Sequence, residues 1–71
     1  MDYQAVTSSS IAAIGYEPEQ ATLAIRFHNG AEYHYFTVPE QRYEGFLAAT
    51  SKGAYFHDHI RDAGYRFARI L

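Results

Sequence analysis

The segment from Leu23 to Pro39 constrains the fold most, because it contains a strong β-hairpin signal that leads directly into a helix start. Apolar and polar residues alternate on both sides of Asn29-Gly30, as they do in strands that have one buried face. Asparagine and glycine both tolerate the positive φ that short hairpin turns require. The sequence therefore predicts two antiparallel strands here, at 21–27 and 32–36.

The length of the hairpin loop decides which side chains share a face, since a slip of one residue turns every side chain of an arm to the other side of the sheet. A two-residue loop would turn both tyrosines of the second arm away from the apolar residues of the first. A three-residue loop, 28–30, with its glycine as a left-handed bulge, sets Ile25 opposite Tyr33. It also sets Arg26 opposite Glu32 on the outer face. We predict the three-residue loop, which makes both tyrosines core residues.

The strands around this hairpin predict a three-stranded antiparallel meander. Weak alternation over 11–16 indicates a first strand, and the turn at 17–20, which contains a proline, returns it onto the hairpin. The last segment, 65–71, is compatible with a fourth strand. No pattern is visible in residues 1–9, which we expect to be poorly ordered.

Two short helices should follow the meander and pack on one face of the sheet, which makes the chain an α+β domain. Pro39 suits the first position of the first helix, where its missing N–H is not needed. Gly45 lies inside this helix and suggests a close approach to the sheet. The second helix is predicted over 54–63 and ends at Gly64.

Length and composition bound the class of protein. With 71 residues the chain is one domain, 1–71, and without cysteine it has neither disulfides nor thiolate metal ligands. No apolar run approaches the roughly 20 residues that cross a bilayer, and the first ten residues lack the features of a signal peptide. We therefore expect a cytoplasmic protein that does not enter membranes. Because no nucleophile, phosphate-loop or metal-ligand spacing is present, we expect no enzymatic activity, cofactor or metal.

Charge is distributed unevenly along the chain, although the net charge is only -2. Residues 1–51 carry two basic and six acidic side chains, whereas residues 52–71 carry four basic and two acidic ones. The small net charge argues against strong nonspecific binding of nucleic acid. The basic last quarter is either an anion-binding face or an ordinary solvated surface.

A set of residues recurs in a recognisable order along the chain, namely Val6, Ser8-Ser9, Ile14, Tyr16, Leu23, Ile25, Phe27, Gly30, Tyr33, Tyr35, Val38-Pro39, Tyr43, Leu47, Ser51, Gly53, Tyr55-Phe56, Ile60-Arg61 and Tyr65. This ordered set resembles the KTSC domain, a family named for the C-terminal extension of some lysyl-tRNA synthetases and found also as small bacterial and phage proteins. The resemblance covers 6 to about 65. Histidine at position 57 departs from it, since we expect a small polar residue there.

The resemblance implies no established activity, and RNA binding is the conjecture that attachment to a synthetase suggests. In this chain the basic quarter and its tyrosines fit a single-stranded RNA or tRNA module. A helix start at 51–53 could receive a phosphate. The predicted phosphate contacts are Lys52, Arg61, Arg66 and Arg69, with Tyr55 or Tyr65 stacking on a base. The motif positions to which we assign structural roles are Ser9, Tyr33, Tyr35, Pro39, Ser51 and Gly53.

A protein-interaction module is the alternative. The predicted outer sheet face, with Ala13, Ala24 and Phe36, is small and mildly apolar, and an unpaired edge strand invites a protein partner or a second copy of the chain. The sequence does not decide between the two classes.

Overall fold

Five antiparallel strands form a single sheet, in chain order β1-β2-β3-β4-β5, in the computed structural model, which describes residues 1–71. Each strand pairs with the next one along the chain, so the topology is a meander. The first four strands are joined by short connections, whereas the helices lie between β4 and β5. The strands are β1 (Tyr3–Ala5), β2 (Ile11–Glu17), β3 (Thr22–Phe27), β4 (Glu32–Tyr35) and β5 (Phe67–Arg69).

The helical layer consists of α1 (Glu40–Ala48) and a second helix that changes its winding. This second helix, α2, starts as Lys52–Tyr55, continues as a π-turn over Phe56–Ile60 and ends as a 3-10 turn over Arg61–Ala63. Gly64 then adopts a φ of 85°, a left-handed conformation that ends the helix as predicted. With nine residues, α1 is too short to span a bilayer, and no other helix qualifies.

The predicted hairpin register is confirmed. Ile25 lies opposite Tyr33, and Arg26 lies opposite Glu32, with an Arg26 Nε to Glu32 Oε1 distance of 3.0 Å. The loop spans three residues, and Gly30 has a φ of 91°. A bulge with a left-handed glycine matches the right-handed twist of the two arms, which explains why this loop is favoured over a two-residue turn.

Both helices pack on the same sheet face, as predicted, and the core lies between the two layers. From α1, Phe46 is fully buried, and from α2, Ile60 is fully buried. The Tyr16 phenol donates to the Val38 carbonyl, and its ring stacks on Tyr43 of α1 with centroids 5.1 Å apart. The eight buried core residues are Ile11, Ile14, Leu23, Ile25, Tyr35, Val38, Phe46 and Ile60.

The predicted strand count of three, with a possible fourth, is wrong, because the sheet has five strands. The C-terminal strand exists as β5, and a further strand, β1, forms within the segment that the sequence predicts to be poorly ordered. Tyr3 of β1 lies opposite Gly15 of β2, where the missing side chain leaves room for the N-terminal segment. A Cβ at Gly15 would lie 2.9 Å from the Asp2 carbonyl oxygen.

The helix boundaries also differ from the prediction. Pro39 is the N-cap of α1 rather than its first residue. The second helix starts at Lys52, two residues before the predicted start, because the Ser51 hydroxyl accepts a hydrogen bond from the Ala54 amide and caps it. Gly45 does make a close approach, but to the Tyr55 phenol of the second helix rather than to the sheet.

Candidate functional site

A cleft of about 310 Å³ opens on the helix-covered side of the sheet, where β4, β5 and the π-turn of α2 meet. Five aromatic or apolar side chains and one cation line it, and we call it the aromatic cleft. The lining residues are Phe27, Tyr33, Tyr35, Phe56, Arg61 and Phe67.

Strand pairing and the helix position these rings. Tyr33 and Tyr35 project from alternate positions of β4, and Phe67 lies opposite Tyr35 on β5. The ring centroids of Tyr35 and Phe67 are 5.4 Å apart, and those of Tyr35 and Phe56 are 5.9 Å apart. Such distances are typical of packed aromatic pairs, so the rings that form the floor of the cleft pack against one another. Phe27 closes the far end, with its centroid 5.5 Å from that of Phe56.

Phe67 distinguishes the cleft from an ordinary part of the core. Its side chain is on the sheet face that carries the core, yet 59% of the residue is exposed to solvent. Tyr35, directly opposite on β4, is only 4% exposed. The helices therefore cover β4 and leave Phe67 of the edge strand open to solvent.

Two arginines place positive charge at the rim of the aromatic cleft. Arg61 is exposed and lines the opening, and the Arg69 guanidinium lies 5.9 Å from the centre of the Tyr33 ring. Burial, followed by the neighbouring Tyr33 phenol, raises the pKa of Tyr35, while the positive charge of Arg61 acts in the opposite direction. Both cations already have a partner within the chain, since Arg61 Nε lies 3.5 Å from Asp62 Oδ1 and Arg69 Nε donates to the Leu71 carbonyl at 2.9 Å. These contacts are exposed, and the remaining guanidinium N–H groups can donate to an anion at the rim of the cleft.

The structure brings together only part of the predicted RNA-binding set. Arg61 and Arg69 lie at the aromatic cleft. The Lys52 ammonium instead donates to the Ala49 carbonyl at the other end of α2, and strand alternation turns Arg66 to the opposite side of the sheet from Phe67. These four basic residues therefore do not form one continuous surface.

The predicted stacking tyrosines are placed differently from Phe67. Tyr55 lies inside the helical layer, where its ring stacks on Phe46 at 5.2 Å and meets His59 at 4.6 Å, and its phenol donates to the Arg42 carbonyl. Tyr65 is half-buried and packs against the core. The sequence analysis did not predict Phe67 as a site residue. The alternation of 65–71 could have indicated it, because that alternation puts Phe67 and Arg66 on opposite faces.

The structure shows what surrounds three of the motif positions, Ser51, Gly53 and Ser9. Ser51 caps α2, and a Cβ at Gly53 would lie 3.7 Å from the Ser10 hydroxyl. Near the start of β2, the hydroxyl that binds backbone amides belongs to Ser8, which accepts from Ser10 and Ile11. Ser9 is exposed. No group of three histidine or carboxylate side chains is close enough to hold a metal ion.

A second polar cluster lies on the outer face of the sheet, around Glu32. Glu32 is only 7% exposed, and its carboxylate accepts from the Tyr3 phenol at 2.6 Å and from Arg26 at 3.0 Å, while His34 Nε2 lies 3.4 Å from Glu32 Oε2. The Arg26 guanidinium also lies 4.1 Å from the centre of the Tyr3 ring. We call these four residues the Glu32 cluster.

Contacts within the Glu32 cluster shift the pKa values of Glu32 and Tyr3. The hydrogen bond from Tyr3 lowers the pKa of the Glu32 carboxyl and outweighs the opposing effect of burial. Burial and then the same hydrogen bond raise the pKa of Tyr3 to about 12. The cluster covers part of the outer face, where Ala24 is fully buried. The outer face is therefore not the free apolar surface that the protein-interaction alternative invokes.

Comparison with known proteins gives the family. The model of the KTSC domain matches residues 7–65. The chain belongs to the KTSC domain family. A KTSC domain protein from Yersinia pestis has a crystal structure that superimposes with a TM-score of 0.91, at 37% identity, covering 99% of this chain and 97% of that one.

Two further relatives support the family and leave its function open. An uncharacterized protein of Stutzerimonas stutzeri is 39% identical over 66 residues, which is 93% of each chain. A protein of Tsukamurella paurometabola is 41% identical over 58 residues, which is 82% of this chain and 87% of the relative. The KTSC resemblance drawn from the sequence is thus confirmed.

Proposed function

We propose that this KTSC domain is a non-enzymatic binding module that takes unstacked bases of single-stranded RNA, tRNA included, in the aromatic cleft. The observation that carries the proposal is the open ring of Phe67 above an aromatic floor, with Arg61 and Arg69 at the rim. Proteins that bind single strands combine such stacking surfaces with cations along the backbone path. Phe67 replaces Tyr55 and Tyr65 as the stacking residue.

The expected affinity is modest. One stacked base contributes about 1–3 kcal/mol, and two arginines give few phosphate contacts. For two contacts on a single strand, the slope of log K against log salt should be about -1.4. The net charge of -2 adds no long-range attraction. Binding should therefore be detectable at low salt and weaker near physiological salt.

The test is a titration of the purified protein with a labelled tRNA pool and with a short single-stranded RNA, each at low salt and near physiological salt. Phe67→Ala should weaken binding about 5- to 150-fold, the equivalent of one lost stacking contact. Arg61→Ala with Arg69→Ala should flatten the salt dependence. Since Phe67 is 59% exposed, its truncation should leave the fold intact, which thermal unfolding checks.

Lys52→Ala is the matched control, because it removes a cation of the same basic quarter that lies away from the aromatic cleft. It should leave RNA affinity unchanged. Equal losses from Lys52→Ala and from the two cleft arginines would indicate a diffuse surface in place of the cleft. The absence of saturable binding even at low salt would reject the RNA proposal and favour the protein-interaction class.

A further inference from the structure

The outer edge of β5 is an unpaired strand edge. Toward β4, the Arg66 carbonyl accepts from the Phe36 amide at 2.8 Å, and the Ile70 amide donates to the Glu32 carbonyl at 2.7 Å. In an antiparallel ladder these bonding positions alternate along the strand. The N–H and C=O groups of Phe67 and Arg69 therefore point away from β4 and are free to pair with another strand.

Apolar side chains accompany this free edge. The chain has four exposed large apolar residues, and three of them lie in or directly after β5, namely Phe67, Ile70 and Leu71. The other edge strand, β1, lacks such a group, apart from Met1 at the chain start. Edge strands of stable monomers are usually shielded by charge or by a covering element. The β5 edge has the exposed charges of Arg66 and Arg69, but it also has three of the four exposed large apolar residues. This places the contact surface at β5.

We propose that two copies of the chain associate through β5, antiparallel and about a two-fold axis at Ala68, to form one continuous sheet. In this register Phe67 lies opposite Arg69 of the partner subunit, and the two residues exchange both backbone hydrogen bonds. Their symmetry mates do the same on the other side of the axis. The proposal does not depend on RNA binding.

The side chains fit this register. Ala68 faces Ala68 of the partner subunit at a non-hydrogen-bonded position, where Cα atoms approach to about 4.5 Å and two methyl groups fit without a clash. Phe67 is placed beside a guanidinium of the second copy, a favourable cation–π arrangement. Arg66 faces Ile70 of the partner subunit, so no two arginines are opposite each other. Like charges across the strands, which would oppose pairing, are thereby avoided.

The symmetry has a structural consequence. A two-fold axis that relates adjacent antiparallel strands runs perpendicular to the sheet, so both helical layers lie on the same side of the combined sheet. The two aromatic clefts then lie next to each other across the axis. Arg69 of the partner subunit then adds a further cation to the rim of each cleft, and a single copy does not have this additional charge.

Cysteine cross-linking tests the register directly, because the natural chain has no cysteine. Ala68→Cys places two thiols across the axis, within the Cα separation of about 4.4–6.8 Å that a disulfide needs. Mild oxidation should convert this variant to a covalent dimer. Arg66→Cys is the matched control: its two thiols would be four residues out of register, about 13 Å apart along the strands, and should not cross-link.

Sedimentation velocity of the unmodified protein, from micromolar to millimolar concentration, completes the test. We expect a concentration-dependent monomer–dimer equilibrium, because the contact is small, and Arg69→Pro should weaken it by removing an amide that the monomer does not use. Circular dichroism checks that each variant is folded. Cross-linking of Ala68→Cys no faster than that of Arg66→Cys, or a monomer at every concentration, would overturn the proposal.

Discussion

Replacement of Tyr3 by phenylalanine should destabilise the domain, because it removes one hydrogen bond from the Glu32 cluster without changing the shape of the ring. The phenol donates to Glu32 Oε2 at 2.6 Å, and Glu32 is only 7% exposed. A hydrogen bond to a charged group contributes about 1.5–3 kcal/mol. Water can reach the half-buried Tyr3 and replace part of that interaction, so we expect a loss of about 1–2 kcal/mol.

The loss is measurable by urea and thermal unfolding at neutral pH. For a domain of this size each kcal/mol changes the melting temperature by about 4–8 °C, so Tyr3→Phe should lower it by on the order of 10 °C. Tyr43→Phe is the control, since the Tyr43 ring stacks on Tyr16 and its hydroxyl makes no hydrogen bond within the protein. This variant should unfold almost like the wild type.

A double-mutant cycle assigns the loss to the carboxylate. In a Glu32→Gln background the phenol no longer meets a charge, so the cost of Tyr3→Phe should fall to that of an ordinary hydrogen bond, about 1 kcal/mol or less. If Tyr3→Phe and Tyr43→Phe differed by less than about 0.5 kcal/mol, which is the range of ordinary surface substitutions, the hydrogen bond would not hold β1 and the reasoning would be refuted.

Two further predictions follow from titration and packing. The pKa of Glu32 is lowered in the folded state, so its contribution to stability is present above the ordinary carboxyl pKa of 4.5 and is lost as the pH falls through the folded pKa. The pKa of Tyr3 is raised in the folded state, so its contribution to stability is lost as the pH rises from 10.0 toward 12. Denaturation curves across pH should show both losses, each smaller in Tyr3→Phe, and equal losses in the variant would contradict the assignment. Gly45→Ala would bring its Cβ to 2.5 Å from the Tyr55 phenol oxygen, so we expect about 1–2 kcal/mol of destabilisation despite the better helix propensity of alanine. In a Tyr55→Phe background the same substitution should cost less, and an unchanged cost would point to a different clash.

Local sequence signals predicted the centre of the fold. The hairpin register followed from the requirement that Tyr33 share a face with Ile25, and the structure has that pairing. The family assignment followed from spacing along the whole chain. Each of these two inferences rests on several residues that agree with one another. Both are therefore correct, although the predicted helix ends differ from the observed ones by one or two residues.

The edge strands were harder to predict, because each has only three residues. β1 forms where Gly15 leaves space and where Tyr3 reaches a carboxylate 29 residues away in the chain. The aromatic cleft depends in the same way on β5 pairing with β4, which places Phe67 opposite Tyr35. Such long-range pairings leave no local pattern, so the tyrosines proposed from the sequence as stacking residues were those near basic residues in the chain.

Glu32 connects the parts of the sheet that the sequence leaves separate. In the sequence it is only the hairpin partner of Arg26, but its side chain also binds Tyr3 of β1. Its backbone accepts from Ile70 and Leu71 and donates to the Leu71 carbonyl, which fixes the chain directly after β5. One residue of β4 thus holds both edge strands. Glu32 therefore contacts β1 through its side chain and, through its backbone, the residues that directly follow the strand on which Phe67 lies.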